Sequence, residues 1–199
     1  MKILAFTDIH GYDKALISLK KKVIHSQPDI ILCAGDFSLF GQEDDKILKK
    51  INSFRKKVFL VHGNHESLSR INTLCKKYKF IEFIHKKIID FNGFTFVGWG
   101  GGGFSHNDYS FETLVRKNKS KLRNKKIVLL THAPPYNTIV DYLDHAKIHA
   151  GNKSFSKFIK EYNVVLSVSG HLHETEKLKE IKWGCLIANP GLFGRVYNL

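Results

Sequence analysis

Carboxylate, imidazole and amide side chains recur in five short clusters: Asp8-Ile9-His10, Gly35-Asp36, Gly63-Asn64-His65-Glu66, Thr131-His132 and Gly170-His171-Leu172-His173. These are oxygen and nitrogen donors suited to divalent transition metals, with no thiolate among them. Two such ions about 3.5 to 4 Å apart lower the pKa of a bridging water and neutralise phosphoryl oxygens, which is what hydrolysis of an anionic phosphoester requires. The pair needs one bridging carboxylate and further donors for each ion. Asp36 is the expected bridge. Asp8, His10 and His173 are expected to complete one sphere, and Asn64, His132 and His171 the other. His10 follows Asp8 by two residues and His171 precedes His173 by two, so each pair projects to one side of an extended chain. His65 adjoins Asn64 without being needed as a ligand, which leaves it free to donate to a transition-state oxygen or protonate the leaving group. Glu66 is expected either to orient an imidazole or to stand as an acid at a helix N-terminus.

Each cluster closes an apolar run that reads as a buried strand: Ile3 to Phe6, Ile30 to Ala34, Val58 to Val61, Ile127 to Leu130 and Val164 to Val168. Strand ends collect ligands on one rim of a sheet. After each of the first three runs a helical pattern follows, Tyr12 to His25, Ile47 to Phe54 and Ser67 to Tyr78, the alternation of a largely parallel sheet. Asn92-Gly93 joins two strand-like runs and predicts a hairpin. The glycine-rich segment from Gly98 to Gly103 lacks the Lys-Ser/Thr of a phosphate loop and is expected to be a turn at the site rim. Further helices are expected over Phe111 to Leu122 and Ser154 to Tyr162, with a long polar loop up to Asn152 and a final strand at Cys185 to Ala188.

The 199 residues suffice for one well-buried core, so residues 1–199 are expected to form a single domain. No apolar run approaches the roughly 20 residues of a membrane span, and the expectation is a cytoplasmic protein without membrane contact. Cys33, Cys75 and Cys185 are odd in number and widely spaced, against a disulfide framework or thiolate metal site. The net charge of +14 is carried by short Lys and Arg runs. It favours phosphate esters and makes nucleic acid a candidate partner, although no aromatic residues interleave with the runs as a stacking surface would require.

The ordered set D-x-H, G-D, G-N-H-E, a lone His and G-H-x-H resembles the calcineurin-like metallophosphoesterase superfamily, from Asp8 to His173. Thr131-His132-Ala133-Pro134-Pro135 is similar to the corresponding stretch of small archaeal and bacterial members. The resemblance implies a four-layer α/β/β/α sandwich of two mixed sheets with the metal site at strand C-terminal loops. It also implies metal ligation by Asp8, His10, Asp36, Asn64, His132, His171 and His173, with His65 as catalytic acid. Two departures lie outside the ligands: His62 stands where the family often has Pro or Arg, and Phe37-Ser38-Leu39-Phe40 is more apolar than usual. The expected activity is hydrolysis of a phosphomonoester or phosphodiester by direct attack of a metal-bridging hydroxide. Manganese is foremost among manganese, iron, zinc, cobalt and nickel as the two ions. No Cys or Ser stands in a nucleophile motif, in line with direct attack. Alternatives are a nuclease acting on DNA or RNA and a non-catalytic binding module of the same fold. His106 and His149 are expected as candidate phosphate contacts, while His25, His85 and His145 carry no expected role.

Overall fold

The computed structural model describes residues 1–199. Strands β1 (Lys2–Phe6), β2 (Ile30–Cys33), β3 (Val58–Leu60) and β4 (Ile81–Phe83) pair in parallel in that order. Strands β5 (Lys87–Phe91), β6 (Phe94–Trp99) and β7 (Ile127–Thr131) begin a second sheet. A small hairpin, β8 (Tyr142–Leu143) and β9 (Ile148–His149), stands apart from it. The second sheet then takes β10 (Val164–Val168), β11 (Lys179–Lys182) and β12 (Cys185–Ala188), giving the order β11-β12-β10-β7-β6-β5 with antiparallel strands at both edges. The last strand, β13 (Arg195–Asn198), returns to the first sheet and pairs antiparallel with β1.

Alternation along the strands makes the layers. In β1, Ile3 and Ala5 enter a central cluster with Ile30, Leu32, Phe59, Phe96, Val128, Leu130 and Leu166, which fills the space between the sheets. Leu4 and Phe6 face the other way, against Leu16, Leu19 and Val23 of α1 (Asp13–Ser26) and Ile47, Leu48 and Ile51 of α2 (Asp44–Asn52). Ile71 and Leu74 of α3 (Leu68–Cys75) complete that layer. Beyond the second sheet, Ile127, Leu129 and Val164 pack on Phe111 of α4 (Tyr109–Lys117), Leu122 of α5 (Lys119–Leu122), and Phe155, Phe158 and Ile159 of α6 (Lys153–Glu161). Because most strands are covered on both faces, they read as continuous apolar runs. The expected α/β/β/α sandwich is therefore the observed fold.

Local expectations hold with adjustments. Asn92 and Gly93 both take positive φ, 47° and 79°, as a tight hairpin turn of the primed kind needs. The helix expected over Phe111 to Leu122 is two helices, broken at Asn118 (φ −115°), whose side-chain amide donates to Leu114 O. Strands β4, β11 and β13 were not expected. β4 has three residues, and β11 is the polar edge segment Lys-Glu-Ile-Lys, so neither carries a strand pattern of its own. All three cysteines are buried and free.

Candidate metal centre

Loops leaving the C-terminal ends of β1, β2 and β3 in one sheet meet those leaving β7 and β10 in the other. The His171 N–H donates to both carboxylate oxygens of Asp8, at 3.1 and 3.3 Å. His132 Nδ1 lies 2.8 Å from Ala34 O, and the His65 N–H donates to Asp36 Oδ1 at 2.9 Å. The first two contacts join the sheets, the third ties the loops after β2 and β3 within one sheet, and together they hold the expected ligands face to face. Donor atoms of Asp8, His10 and His173 lie within 4.8 Å of one another, as do those of His10, Asp36 and His65, and those of Asp36, His132 and His171. Asn64 Oδ1 is 2.9 Å from His132 Nε2, which is 3.4 Å from Asp36 Oδ2. All seven expected ligands and His65 thus converge, with Asp36 common to two of the three groups.

The backbone is bent to achieve this. Asp8, His10, Asp36 and His171 all take positive φ, between 42° and 71°, a conformation that non-glycine residues adopt at a cost of about 1 to 3 kcal/mol each. Two motif glycines are needed for close approach rather than for φ. A Cβ at Gly63 would strike Asp36 Oδ1, and one at Gly170 would strike Thr7 Oγ1 and Asp8 Oδ2.

Glu66 does neither of the two things expected of it. Its carboxylate accepts the N–H groups of Asp36 (3.0 Å), Ser38 (2.9 Å) and Gly63 (2.7 Å) together with the Ser38 hydroxyl (3.1 Å), while α3 begins two residues later. It braces the Asp36 loop against the Asn64 loop. Burial pushes its pKa up to about 7 against the donors that favour the charged form.

Charge in the cluster is strongly coupled. Burial works to raise Asp36, but hydrogen bonding and charge from His132, with the His65 amide, hold it down to about 2. Burial lowers His171 to about 4 and also lowers His10, so both imidazoles stand neutral, as metal ligation requires. Buried His10 Nδ1 and His171 Nε2 have no hydrogen-bond partner, and His10 Nε2 faces His173 Nε2 at 3.2 Å. Unpartnered, converging imidazole nitrogens around two carboxylates and an amide oxygen are a donor set that fits divalent transition-metal ions.

Of the other histidines singled out, neither His106 nor His149 joins a ligand group. The His106 carbonyl accepts the Lys153 N–H and its ring sits 6.5 Å from that of Tyr136. His149 lies in β9 with Nδ1 2.8 Å from Asp141, a fully buried carboxylate that also accepts the N–H groups of Asn137, Thr138 and Gly151 and so ties down the long loop. His85, expected to have no role, accepts the Gly100 N–H through Nδ1 at 2.8 Å and packs its ring on His62 at 4.7 Å, while the His62 carbonyl accepts the Gly101 N–H. The glycine-rich loop is thus pinned at its base.

Burial and the neighbouring His62 push His85 down to about 3, and burial pushes His62 down to about 4. Both are neutral when folded, whereas the unfolded chain takes up their protons near pH 6.5. The contribution of this pair is therefore full above pH 6.5 and falls as pH drops toward 4, by about 1 kcal/mol per histidine per pH unit. Urea unfolding of the metal-free protein at pH 7.5 and 5.5 is expected to read this loss, with His85→Asn removing its share. Glu66, raised to about 7, gains stability over the same interval and offsets part of the loss in both proteins; the same pH dependence in wild type and His85→Asn would refute the assignment.

Two residues at the site went unassigned from the sequence. Phe40 lies over the His65 ring, centroids 4.3 Å apart, and Phe104 meets the His171 ring edge-on at 4.6 Å. The apolar stretch Phe37 to Phe40 was the visible signal for the first; for the second there was only its place after the glycines.

A two-sheet sandwich whose strand ends gather this donor set defines a metallophosphoesterase fold. The chain belongs to the calcineurin-like phosphoesterase family, which it matches over residues 1–175. It is 32% identical over 200 residues to an uncharacterized protein of Methanocaldococcus jannaschii, covering 96% of this chain and 88% of that one. It is 22% identical over 196 residues to a probable glycerophosphodiester phosphodiesterase of Arcobacter nitrofigilis, covering 87% of this chain and 72% of the relative. Among solved structures, a crystal structure of a Thermus thermophilus protein, TT1561, superposes with a TM-score of 0.79 at 15% identity, covering 96% and 90% of the two chains. No helix is long and apolar enough to cross a membrane.

Proposed function

We propose that the protein hydrolyses a phosphate ester at a dinuclear metal site held by Asp8, His10, Asp36, Asn64, His132, His171 and His173. The observation that carries this reading is the convergence of imidazoles from both sheets on Asp36, with His10 Nδ1 and His171 Nε2 buried and unpartnered. When bound, two divalent ions supply an acidified water as nucleophile and neutralise the phosphoryl oxygens. The residues do the rest. Asp36, charged across the neutral pH range, lies between the two donor groups and suits a bridge. Asp8 is oriented by the His171 N–H, and His132 by Ala34 O. His65, with Nε2 3.8 Å from Asp36 Oδ2, faces the same space and serves as proton donor to the leaving oxygen. Manganese is the first ion to supply among the manganese, iron, zinc, cobalt and nickel that a mixed imidazole and carboxylate set accommodates.

The test is hydrolysis of a chromogenic phosphodiester and its monoester counterpart, with and without manganese. His65→Ala is expected to lower kcat by about 10² to 10⁴-fold while metal analysis still finds two bound ions. Unchanged kcat would remove His65 from the proton-transfer role. Absence of turnover by metal-loaded wild type on either ester would sink the enzyme reading.

A further inference from the structure

Phe40 and Phe104 are 75% and 63% exposed, an unfavourable setting for the most apolar aromatic side chain, and each rests on a histidine of the site. They arrive from opposite sheets, Phe40 on the loop after β2 and Phe104 on the loop after β6. The imidazoles beneath them, His65 and His171, both belong to donor groups that include Asp36. A phosphate at Asp36 would therefore lie next to both histidines on which the phenyl rings rest. The Phe40 backbone is strained to this end. Leu39 to Gln42 is a tight turn closed by the Gln42 N–H on Leu39 O, and both central residues, Phe40 and Gly41, take positive φ, 49° and 73°. Such a turn favours Asn, Asp or Gly at the first central position, so phenylalanine there is a local cost offset only by its contact with the His65 ring. Phe104 follows four consecutive glycines, three with positive φ, a backbone free to bring the ring toward its opposite number.

We infer that Phe40 and Phe104 form an aromatic clamp for a nucleobase beside the reacting phosphate, making nucleoside phosphate esters the substrate class. This rests on the phosphoesterase reading above. Phenyl rings offer a face and an edge but no hydrogen-bonding group, so the clamp takes purines and pyrimidines alike. The +14 charge of the chain favours the anionic ester's approach.

The test compares adenosine 5′-phosphate with ribose 5-phosphate, and the methyl diesters of each, on manganese-loaded protein. Each pair shares its reacting oxygens and differs in the base. Wild type is expected to favour the base-bearing ester by about tenfold or more in kcat/KM, carried mainly by KM. Phe40→Ala and Phe104→Ala are expected to lose that advantage, kcat/KM on the adenosine ester falling about tenfold more than on the ribose ester. No base advantage in wild type, or one kept in both variants, overturns the clamp. So does an equal fall in kcat on both esters, which would make Phe40 only a prop for His65. Phe40→Asn relieves the turn and is expected to raise Tm by about 2 °C while losing the base advantage; a fall in Tm would mean that Phe40 is there for packing. A free nucleotide and a strand end present the same base and phosphate. A 5′-phosphorylated tetranucleotide hydrolysed faster than adenosine 5′-phosphate assigns the strand end, and slower the free nucleotide; the clamp stands with either. If no ester is hydrolysed, the phosphoesterase reading fails by itself. Calorimetric binding of the non-hydrolysable phosphonates of adenosine and ribose then decides the clamp, tighter binding of the first supporting it and equal binding overturning it.

Discussion

Asp36→Asn is expected to cut metal-dependent ester hydrolysis by at least about 10³-fold in kcat/KM, roughly 4 kcal/mol of transition-state stabilisation. The substitution is nearly isosteric and leaves the carbonyl oxygen able to accept the His65 N–H, so the loop around it need not move. What disappears is the charge that belongs to two of the three donor groups at once. Asparagine also places an N–H₂ group or a weaker oxygen opposite His132 Nε2, where Asp36 Oδ2 now lies at 3.4 Å. Without a shared carboxylate, two divalent ions repel at close range, and metal analysis is expected to find one tightly held ion or none. Chelator treatment of the wild type should mimic the loss, with manganese restoring turnover to the wild type and not to the variant. A variant that keeps two ions and wild-type kcat/KM would show that Asp36 is not the bridge.

Glu66→Ala is expected to cost about 3 to 5 kcal/mol of stability and to weaken metal binding by about 10 to 100-fold. Glu66 is the shared acceptor for three buried backbone N–H groups and a hydroxyl from two loops. Truncation strands all four donors, each a loss of about 1 to 3 kcal/mol if no water enters. Asp36 and Asn64 then lose the contact that sets their spacing, so the effect reaches the ions through the backbone of the Asp36 and Asn64 loops. Glu66→Gln keeps one oxygen acceptor and turns an N–H₂ group on the remaining donors, which should give an intermediate loss. Urea unfolding of metal-free protein together with manganese titration reads both effects. Stability within about 0.5 kcal/mol of wild type, the range of an ordinary surface substitution, would refute the brace.

The clusters and the strands they close were legible because both are local. Ile3 to Phe6 and Ile127 to Leu130 are apolar at every position, and a strand buried on both faces needs no more than that. Asp8, Asp36, Asn64, His132 and His171 each follow such a run within a few residues, so their gathering at strand ends was readable from order alone. The hairpin at Asn92-Gly93 was equally local, since the two residues themselves supply the positive φ. Edge strands β4, β11 and β13 were not legible, because short or polar segments become strands only by pairing with a neighbour already in place.

By its residue types and their order, the sequence alone set out the candidate donor set and, through the family it resembles, the expectation of a two-sheet fold and of phosphoester chemistry. Tertiary structure alone decided which groups touch. His171 bonds to Asp8 across 163 residues of chain. Glu66 turns from its expected imidazole or helix terminus to the amides of two loops, and His85 grips the glycine loop while His106 and His149 stay outside the donor groups. Phe40 and Phe104 come to rest on His65 and His171. The physical reason is the same in each case: strand and turn preferences act over a few residues, whereas contacts between loops are fixed by which strands lie side by side in a sheet and by how the two sheets pack through their shared core of Phe59, Phe96 and Leu130.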